Sequence, residues 1–163
     1  PESVVFTYQG DGDLAAIGTS EIIHAANRGE NITVIFVNNG VYGMTGGQLA
    51  PTTMIGEKTT TTIQGRTVAR DGFPLKIAEM LSLLPGVKYV ERTSTNTKTN
   101  VEKTKEAIKK AFKMQIDKKG FSMVEVVTIC SVYGADSVKS AYQKIENEIT
   151  KFYPLGVLKD EKN

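Results

Sequence analysis

Apolar residues follow two different spacings along the chain, and the two kinds of segment alternate. Short, nearly continuous apolar runs predict strands, and they lie at 3–8, 31–39, 87–92 and 122–129. Longer segments with apolar residues every three or four positions predict helices, at 19–29, 73–86, 101–120 and 136–153. The first two runs hold so few polar residues that we expect strands buried on both faces. Because strands alternate with helices, the pattern predicts an α/β fold with three α/β/α layers and a mostly parallel sheet.

One long segment, residues 40–72, carries neither pattern and is rich in glycine and threonine. Connections longer than about 12–15 residues without secondary structure are usually functional or disordered. Because this one follows directly after a predicted strand and a possible binding motif, we expect it to form part of a site.

Composition narrows the possible functions. The 163 residues carry 20 basic and 18 acidic side chains, and a net charge of +2 gives no reason to expect nucleic acid as a partner. Cys130 is the only cysteine and His24 the only histidine, which excludes a disulfide framework and any zinc or iron–sulfur site built by this chain alone. No apolar run approaches the roughly 18 residues of a membrane helix, so we expect no membrane partner. The single cysteine fits a reducing compartment, and we expect a cytoplasmic protein.

The first predicted strand runs into the stretch GDGDLA (10–15), which matches the G-x-G-x-x-A pattern of dinucleotide-binding turns. Such a site needs an acidic residue about 20 positions later, at the end of the next strand, to hold the ribose hydroxyls. Here that strand ends in Asn38 and Asn39, and Asp11 and Asp13 would repel a directly bound pyrophosphate. The sequence therefore disfavours a nicotinamide cofactor.

A divalent cation between the protein and a diphosphate would turn this repulsion into attraction. Asp11 follows the first predicted strand, and Asn39 ends the second after one helical crossover. Neighbouring parallel strands lie about 4.8 Å apart, so both side chains can reach one ion at the carboxyl edge of the sheet. Carboxylate and amide oxygens suit Mg²⁺, and the backbone carbonyl of Val41 can supply a third oxygen.

The GDG turn and the pair NN, with Asn39 placed 28 residues after Asp11, resemble the motif of thiamine diphosphate enzymes. The stretches NNGVYGMTGGQLAPTT (38–53) and FYPLGVLKD (152–160) are similar to the β, thiamine diphosphate-binding, subunit of 2-oxoacid:ferredoxin oxidoreductases of the multi-subunit type. The resemblance implies a thiamine diphosphate-binding fold and a single domain over 1–163. It also implies a chain that lacks the family's N-terminal segment, which carries a Cys-x-x-Cys-Gly-His-like stretch.

The resemblance further implies roles for individual residues. Asp11, Asn39 and the Val41 carbonyl would bind Mg²⁺ together. The residues that would contact the cofactor lie in two turns and are Gly12, Asp13, Gly43, Met44 and Thr45. No catalytic side chain is expected in this chain, because the glutamate that activates the aminopyrimidine ring belongs, by analogy with the family, to another subunit.

By the same resemblance, the whole enzyme would perform coenzyme A-dependent oxidative decarboxylation of a 2-oxoacid and pass electrons through iron–sulfur clusters to ferredoxin. Those clusters would lie in partner subunits or in the missing segment. The expected partners are therefore the α and other subunits, ferredoxin, the 2-oxoacid and coenzyme A. Two alternatives stay open: another thiamine diphosphate-dependent decarboxylase or acetolactate synthase-like enzyme, and a truncated module that no longer binds the cofactor.

Overall fold

The fold is built on a five-stranded sheet accompanied by a two-stranded ribbon. The computed structural model describes residues 3–161. The strands are β1 (Phe6–Gly10), β2 (Thr33–Asn38), β3 (Val41–Tyr42), β4 (Gln48–Leu49), β5 (Val87–Ser94), β6 (Phe121–Val127) and β7 (Gly156–Asp160). The helices are α1 (Thr19–Arg28), α2 (Val68–Asp71), α3 (Ile77–Ser82), α4 (Lys98–Ile116), α5 (Val138–Lys144) and α6 (Thr150–Phe152). Two π-helical segments, Asp13–Ile17 and Ile145–Ile149, precede α1 and α6.

The main sheet has the strand order β1-β2-β6-β5-β7. The first four strands run parallel, and β7 pairs with β5 in the antiparallel direction. The predicted mostly parallel α/β sheet is therefore confirmed. The sequence pattern missed β7, because its residues 156–160 mix glycine and charged positions with only two apolar ones.

Helices cover both faces of this sheet, which confirms the three layers. On one face, Ile22 of α1 and Leu81 of α3 pack against Val34 and Met123 of the central strands. On the other face, Ala107, Ala111 and Met114 of α4 form a second core with the opposite sides of β2, β5 and β6. The alternation follows from the strand period of two, which sends successive side chains to opposite faces.

The expectation that the first strand is buried on both faces is wrong. Within the described part of the chain, β1 pairs with β2 alone and lies at the sheet edge. Phe6 is 53% exposed and Tyr8 is 71% exposed. The predicted helix over 73–86 is also shorter, since only Ile77–Ser82 is helical and Leu75 N–H donates instead to the Pro51 carbonyl.

The long glycine- and threonine-rich segment is ordered by local structure that the sequence pattern did not indicate. It contains the β3–β4 ribbon, in which Val41 is paired with Leu49, and the short helix α2. Tight turns hold the rest, such as the hydrogen bond from Gly47 N–H to the Tyr42 carbonyl at 2.8 Å. None of the helices within residues 3–161 is long and apolar enough to span a membrane.

The register of β1 and β2 determines where the candidate site lies. Gly10 pairs with Val37, so Asp11 and Asn38 leave the same edge of the sheet side by side. The carboxyl ends of parallel strands in an open α/β sheet form the usual ligand-binding crevice. The residues that follow β1 and β2 therefore form the candidate site.

Candidate functional site

The side chains of Asp11 and Asn39 converge on one backbone amide. Val41 N–H donates to Asp11 Oδ2 at 3.2 Å and to Asn39 Oδ1 at 3.1 Å. Two oxygens that share one N–H lie close together, although the residues are far apart in the sequence. The structure thus brings together the three residues that the sequence predicts as metal ligands, and the role of the Val41 carbonyl stays a prediction.

The Asp11 carboxylate is nearly inaccessible to solvent, with 3% of the residue exposed. This burial raises the pKa of Asp11, and hydrogen bonds from Thr52 and from the backbone of Gly40, Gly12 and Val41 act in the opposite direction. The Asp11 carboxylate accepts hydrogen bonds from neutral donors. Within residues 3–161, no basic side chain forms a hydrogen bond or an ion pair with it. A divalent cation would supply the missing positive charge.

The predicted cofactor-contacting residues occupy two turns that meet above the sheet edge. A Cβ atom on Gly12 would lie 3.1 Å from Tyr42 Cδ1, and one on Gly43 would lie 2.9 Å from Cys130 Sγ. A side chain at either position would therefore press against a neighbouring side chain. Glycine at both positions leaves the main-chain groups of the turns uncovered by a side chain of their own, which suits the backbone binding expected for a diphosphate.

The other three predicted cofactor residues are exposed. Met44 is fully exposed, and the Thr45 hydroxyl donates to Gln48 Oε1 at 2.6 Å, which fixes the tip of the β3–β4 turn. Asp13 begins the π-helical segment, and its side chain lines a shallow groove with Ile17 and Glu21. The structure does not test a cofactor contact for any of these residues, and each stays a prediction.

Two adjacent threonines, which the sequence analysis did not single out, contact both halves of this site. Thr52 Oγ1 donates to Asp11 Oδ2 at 3.1 Å, and Thr53 Oγ1 donates to the Gly40 carbonyl at 2.6 Å. Both threonines are 1% exposed. Their only sequence signal is a polar pair after a proline in the long glycine- and threonine-rich segment, which predicts no particular contact.

Arg66 and Tyr153 hold the segment that carries these threonines. The Arg66 guanidinium donates to the carbonyls of Pro51 at 2.9 Å and Thr53 at 2.6 Å, and the Tyr153 hydroxyl donates to the Thr52 carbonyl at 2.8 Å. Both side chains are buried, and burial is the main reason that the pKa of Tyr153 is raised. The backbone beneath the site is thus fixed by two distant parts of the chain.

A buried polar chain runs through the sheet towards the same edge. Asn38 donates to Glu125 Oε1 at 2.7 Å, Arg92 Nε donates to Glu125 Oε2 at 2.7 Å, and Arg92 also pairs with Glu79. Glu125 is completely buried, which raises its pKa, while Arg92 and Asn38 act in the opposite direction. The sequence did hold a signal here, because a glutamate within a buried strand requires a partner.

The donor set at the site fits Mg²⁺. A carboxylate, a side-chain amide and a backbone carbonyl are hard oxygen ligands, and Mg²⁺ usually takes one or two carboxylates and completes its shell with phosphate and water. Across residues 3–161, no cluster of three or more His, Cys, Asp or Glu side chains forms a different metal site. The residues present are therefore better suited to a metal that is bound jointly by the protein and a diphosphate than to a metal bound by the protein alone.

Sequence and structure comparisons point to one enzyme family. Ketoisovalerate oxidoreductase subunit VorA of Methanothermobacter thermautotrophicus is 43% identical over 159 residues, which cover 98% of this chain and 33% of that protein. The 2-oxoacid:ferredoxin oxidoreductase subunit beta of Saccharolobus solfataricus is 35% identical over 144 residues, covering 88% of this chain and 43% of that protein. The chain thus spans less than half the length of these relatives. They confirm the resemblance to subunits of 2-oxoacid oxidoreductases.

A solved structure supports the fold. The 2-oxoglutarate:ferredoxin oxidoreductase from Magnetococcus marinus, with 2-oxoglutarate, coenzyme A and succinyl-CoA bound, superposes with a TM-score of 0.67. The match covers 94% of this chain and 55% of that one at 21% sequence identity, a level at which it shows the fold alone. Residues 1–126 match the family described as "Thiamine pyrophosphate enzyme, C-terminal TPP binding domain". The chain therefore belongs to the family of thiamine pyrophosphate enzymes, as a C-terminal TPP-binding domain.

Proposed function

We propose that this chain anchors magnesium–thiamine diphosphate in a 2-oxoacid:ferredoxin oxidoreductase, which carries out coenzyme A-dependent oxidative decarboxylation of a 2-oxoacid. One observation carries the proposal: Asp11 and Asn39 converge on Val41 at the carboxyl edge of the sheet, in a chain of the thiamine pyrophosphate family. The family match supports the cofactor, and the donor set supports the metal.

In this proposal the residues of the chain bind and orient, and none of them transfers a proton. Asp11, Asn39 and the Val41 carbonyl hold Mg²⁺, while the turns at Gly12 and Gly43 present backbone groups to the diphosphate. Asp13, Met44 and Thr45 complete the cofactor contacts, as the family resemblance implies. Bound thiamine diphosphate supplies the chemistry that releases CO₂ from a 2-oxoacid.

The names of the relatives support the substrate class and the partners. One relative is named for ketoisovalerate and another for 2-oxoacids in general, so we propose a 2-oxoacid as the substrate. We propose further that the α and other subunits supply the remaining active-site residues and the iron–sulfur clusters, and that ferredoxin accepts the electrons. We place the complex in the cytoplasm, and we take residues 1–163 as one domain.

Titration calorimetry of the purified chain with thiamine diphosphate, with and without Mg²⁺, tests the anchoring function. We expect heat of binding only when Mg²⁺ is present, because the metal neutralises both the buried Asp11 carboxylate and the diphosphate. The same titration with thiamine, which lacks the diphosphate, serves as the control and should give no signal. Binding that is equally tight without any divalent metal would refute the metal assignment.

A second experiment tests whether the other subunits are required for activity. The chain alone should not oxidise 2-oxoacids with a ferredoxin-like acceptor, whereas the complex assembled from all subunits should. Turnover by the purified chain would show that the proposed partner subunits are dispensable.

A further inference from the structure

Asp11 and Asn39 follow the ends of two paired strands, and beyond those ends the position of their side chains depends on contacts outside the sheet. The residues Ala50–Thr53 connect the two halves directly. The Thr52 hydroxyl donates to Asp11, which follows β1, and the Thr53 hydroxyl donates to the Gly40 carbonyl, which follows β2. Two consecutive side chains thus bridge the two strand ends.

The bridging segment is itself immobilised through its backbone carbonyls. Arg66 donates to the carbonyls of Ala50, Pro51 and Thr53 at 3.3, 2.9 and 2.6 Å. The Thr52 carbonyl accepts instead from the Tyr153 hydroxyl. Each of the four carbonyls therefore has a buried side-chain donor, and the threonine hydroxyls project from a fixed backbone.

The hydrogen bonds on Asp11 restrict how its carboxylate can turn. Oδ2 accepts from the Thr52 hydroxyl and from Val41 N–H, at 3.1 and 3.2 Å. Rotation of the carboxylate about its terminal torsion would break both bonds inside a region that water reaches poorly, where lost hydrogen bonds are costly. Partners that orient a metal ligand in this way typically change metal affinity by 10–100-fold when they are removed.

We propose that Thr52 and Thr53 are positioning residues for the metal site, with Thr52 orienting the Asp11 carboxylate and Thr53 holding the turn that carries Asn39 and Val41. The proposal rests on the proposed function for its metal, and on the geometry of the hydrogen bonds for its residues. Arg66 and Tyr153 act through the same segment, one step further from the ligands.

Thr52→Val tests the proposal, because valine keeps the size and shape of threonine and removes the hydroxyl. In a Mg²⁺ titration of the full chain at fixed thiamine diphosphate, we expect the concentration for half-maximal cofactor binding to rise at least about tenfold. Thr52→Ser keeps the hydroxyl and should stay within about threefold of the wild type. Thr60→Val, the same substitution at an exposed position in the same segment, should have no effect.

A second measurement needs neither metal nor cofactor. Amide hydrogen exchange followed by NMR reports on Val41 N–H, which bonds to the same Asp11 oxygen as Thr52. Exchange at this amide should accelerate in Thr52→Val and remain at the wild-type rate in Thr52→Ser. If Thr52→Val does not fold, Tyr153→Phe, which removes only the hydroxyl bonded to the Thr52 carbonyl, should accelerate the same amide.

The two measurements separate the proposal from the function on which it rests. If the wild-type chain binds no cofactor at any Mg²⁺ concentration, anchoring by this chain fails and the exchange rates alone decide the positioning role. Unchanged Val41 exchange in Thr52→Val, or in Tyr153→Phe where that variant replaces it, would then overturn the proposal. Equal losses in Thr52→Val and Thr52→Ser would also overturn it, because the hydroxyl would not be the responsible group.

Discussion

Replacement of Arg66 by methionine should destabilise the protein more than any other single change of an arginine in the glycine- and threonine-rich segment. Arg66 is 4% exposed, and its five guanidinium N–H groups donate to the carbonyls of six residues, with at least one N–H shared between two of them: Ala50, Pro51, Thr53, Asp71, Gly72 and Phe73. Four of these bonds are 3.0 Å or shorter. Hydrogen bonds from a charged donor each contribute about 1.5 kcal/mol or more, and part of that sum is offset because the methionine variant no longer buries a charged group. We therefore expect the free energy of unfolding to fall by about 3 kcal/mol.

Urea denaturation followed by circular dichroism measures this loss. Arg28→Met is the matched control, because the Arg28 side chain is 74% exposed and, among residues 3–161, forms an ion pair with Glu30 alone. Its loss should be below about 1 kcal/mol. Arg66→Lys should fall between the two, since an ammonium group cannot reproduce the planar fork that spans several carbonyls. A decrease of less than about 1 kcal/mol in Arg66→Met would refute the argument that this guanidinium organises the segment.

Three further predictions concern charged side chains that are fully or partly buried. Arg92→Met should lower the free energy of unfolding, measured by urea denaturation, by about 3–5 kcal/mol, because it leaves Glu125 buried without its cation. The double variant Arg92→Met/Glu125→Leu should recover part of this loss, and no recovery would contradict the pairing. Burial acts to raise the pKa of Glu79, but Arg92 outweighs burial and holds that pKa below its ordinary value. The wild type should therefore lose stability relative to Glu79→Gln as the pH falls below about 4.5. Parallel curves of stability against pH for the two proteins would exclude this contribution. Asp11→Asn should fold normally, because the amide oxygen can still accept from Thr52, yet calorimetry should show weaker cofactor binding at limiting Mg²⁺; unchanged affinity would remove Asp11 as a ligand.

The sequence predicts those features that depend on local spacing. Continuous apolar runs identified the four parallel strands, and the helix predicted over 19–29 matches α1, which ends where Gly29 adopts a φ of 68°. The meeting of Asp11 and Asn39 was also predictable, because one helical crossover between parallel strands places their carboxyl ends side by side.

Contacts between distant parts of the chain were not predictable in the same way. The hydrogen bonds from Arg66 and Tyr153 to the backbone near Thr52 involve irregular segments whose positions follow no repeating pattern. The exposure of β1 was missed for a related reason. An apolar run shows that the side chains of a strand are suited to burial, but the order of strands in the sheet decides whether other elements cover them. Glu125 is different, since its place in an apolar strand already indicated a buried partner.

The link between Tyr153 and the Thr52 carbonyl has a consequence for the order of events during folding. It closes a loop of 101 residues, while the bond between Thr52 and Asp11 closes one of 41. Contacts at such separations form late, because the entropy lost in closing the loop has to be offset by structure already in place. A nascent chain emerging from the ribosome would carry the whole GDG turn and the Asn39 turn long before Tyr153 is synthesised. The hydrogen bonds that fix Asp11 should therefore be among the last native contacts to form, because the segment that carries Thr52 is held in place only after Tyr153 has docked.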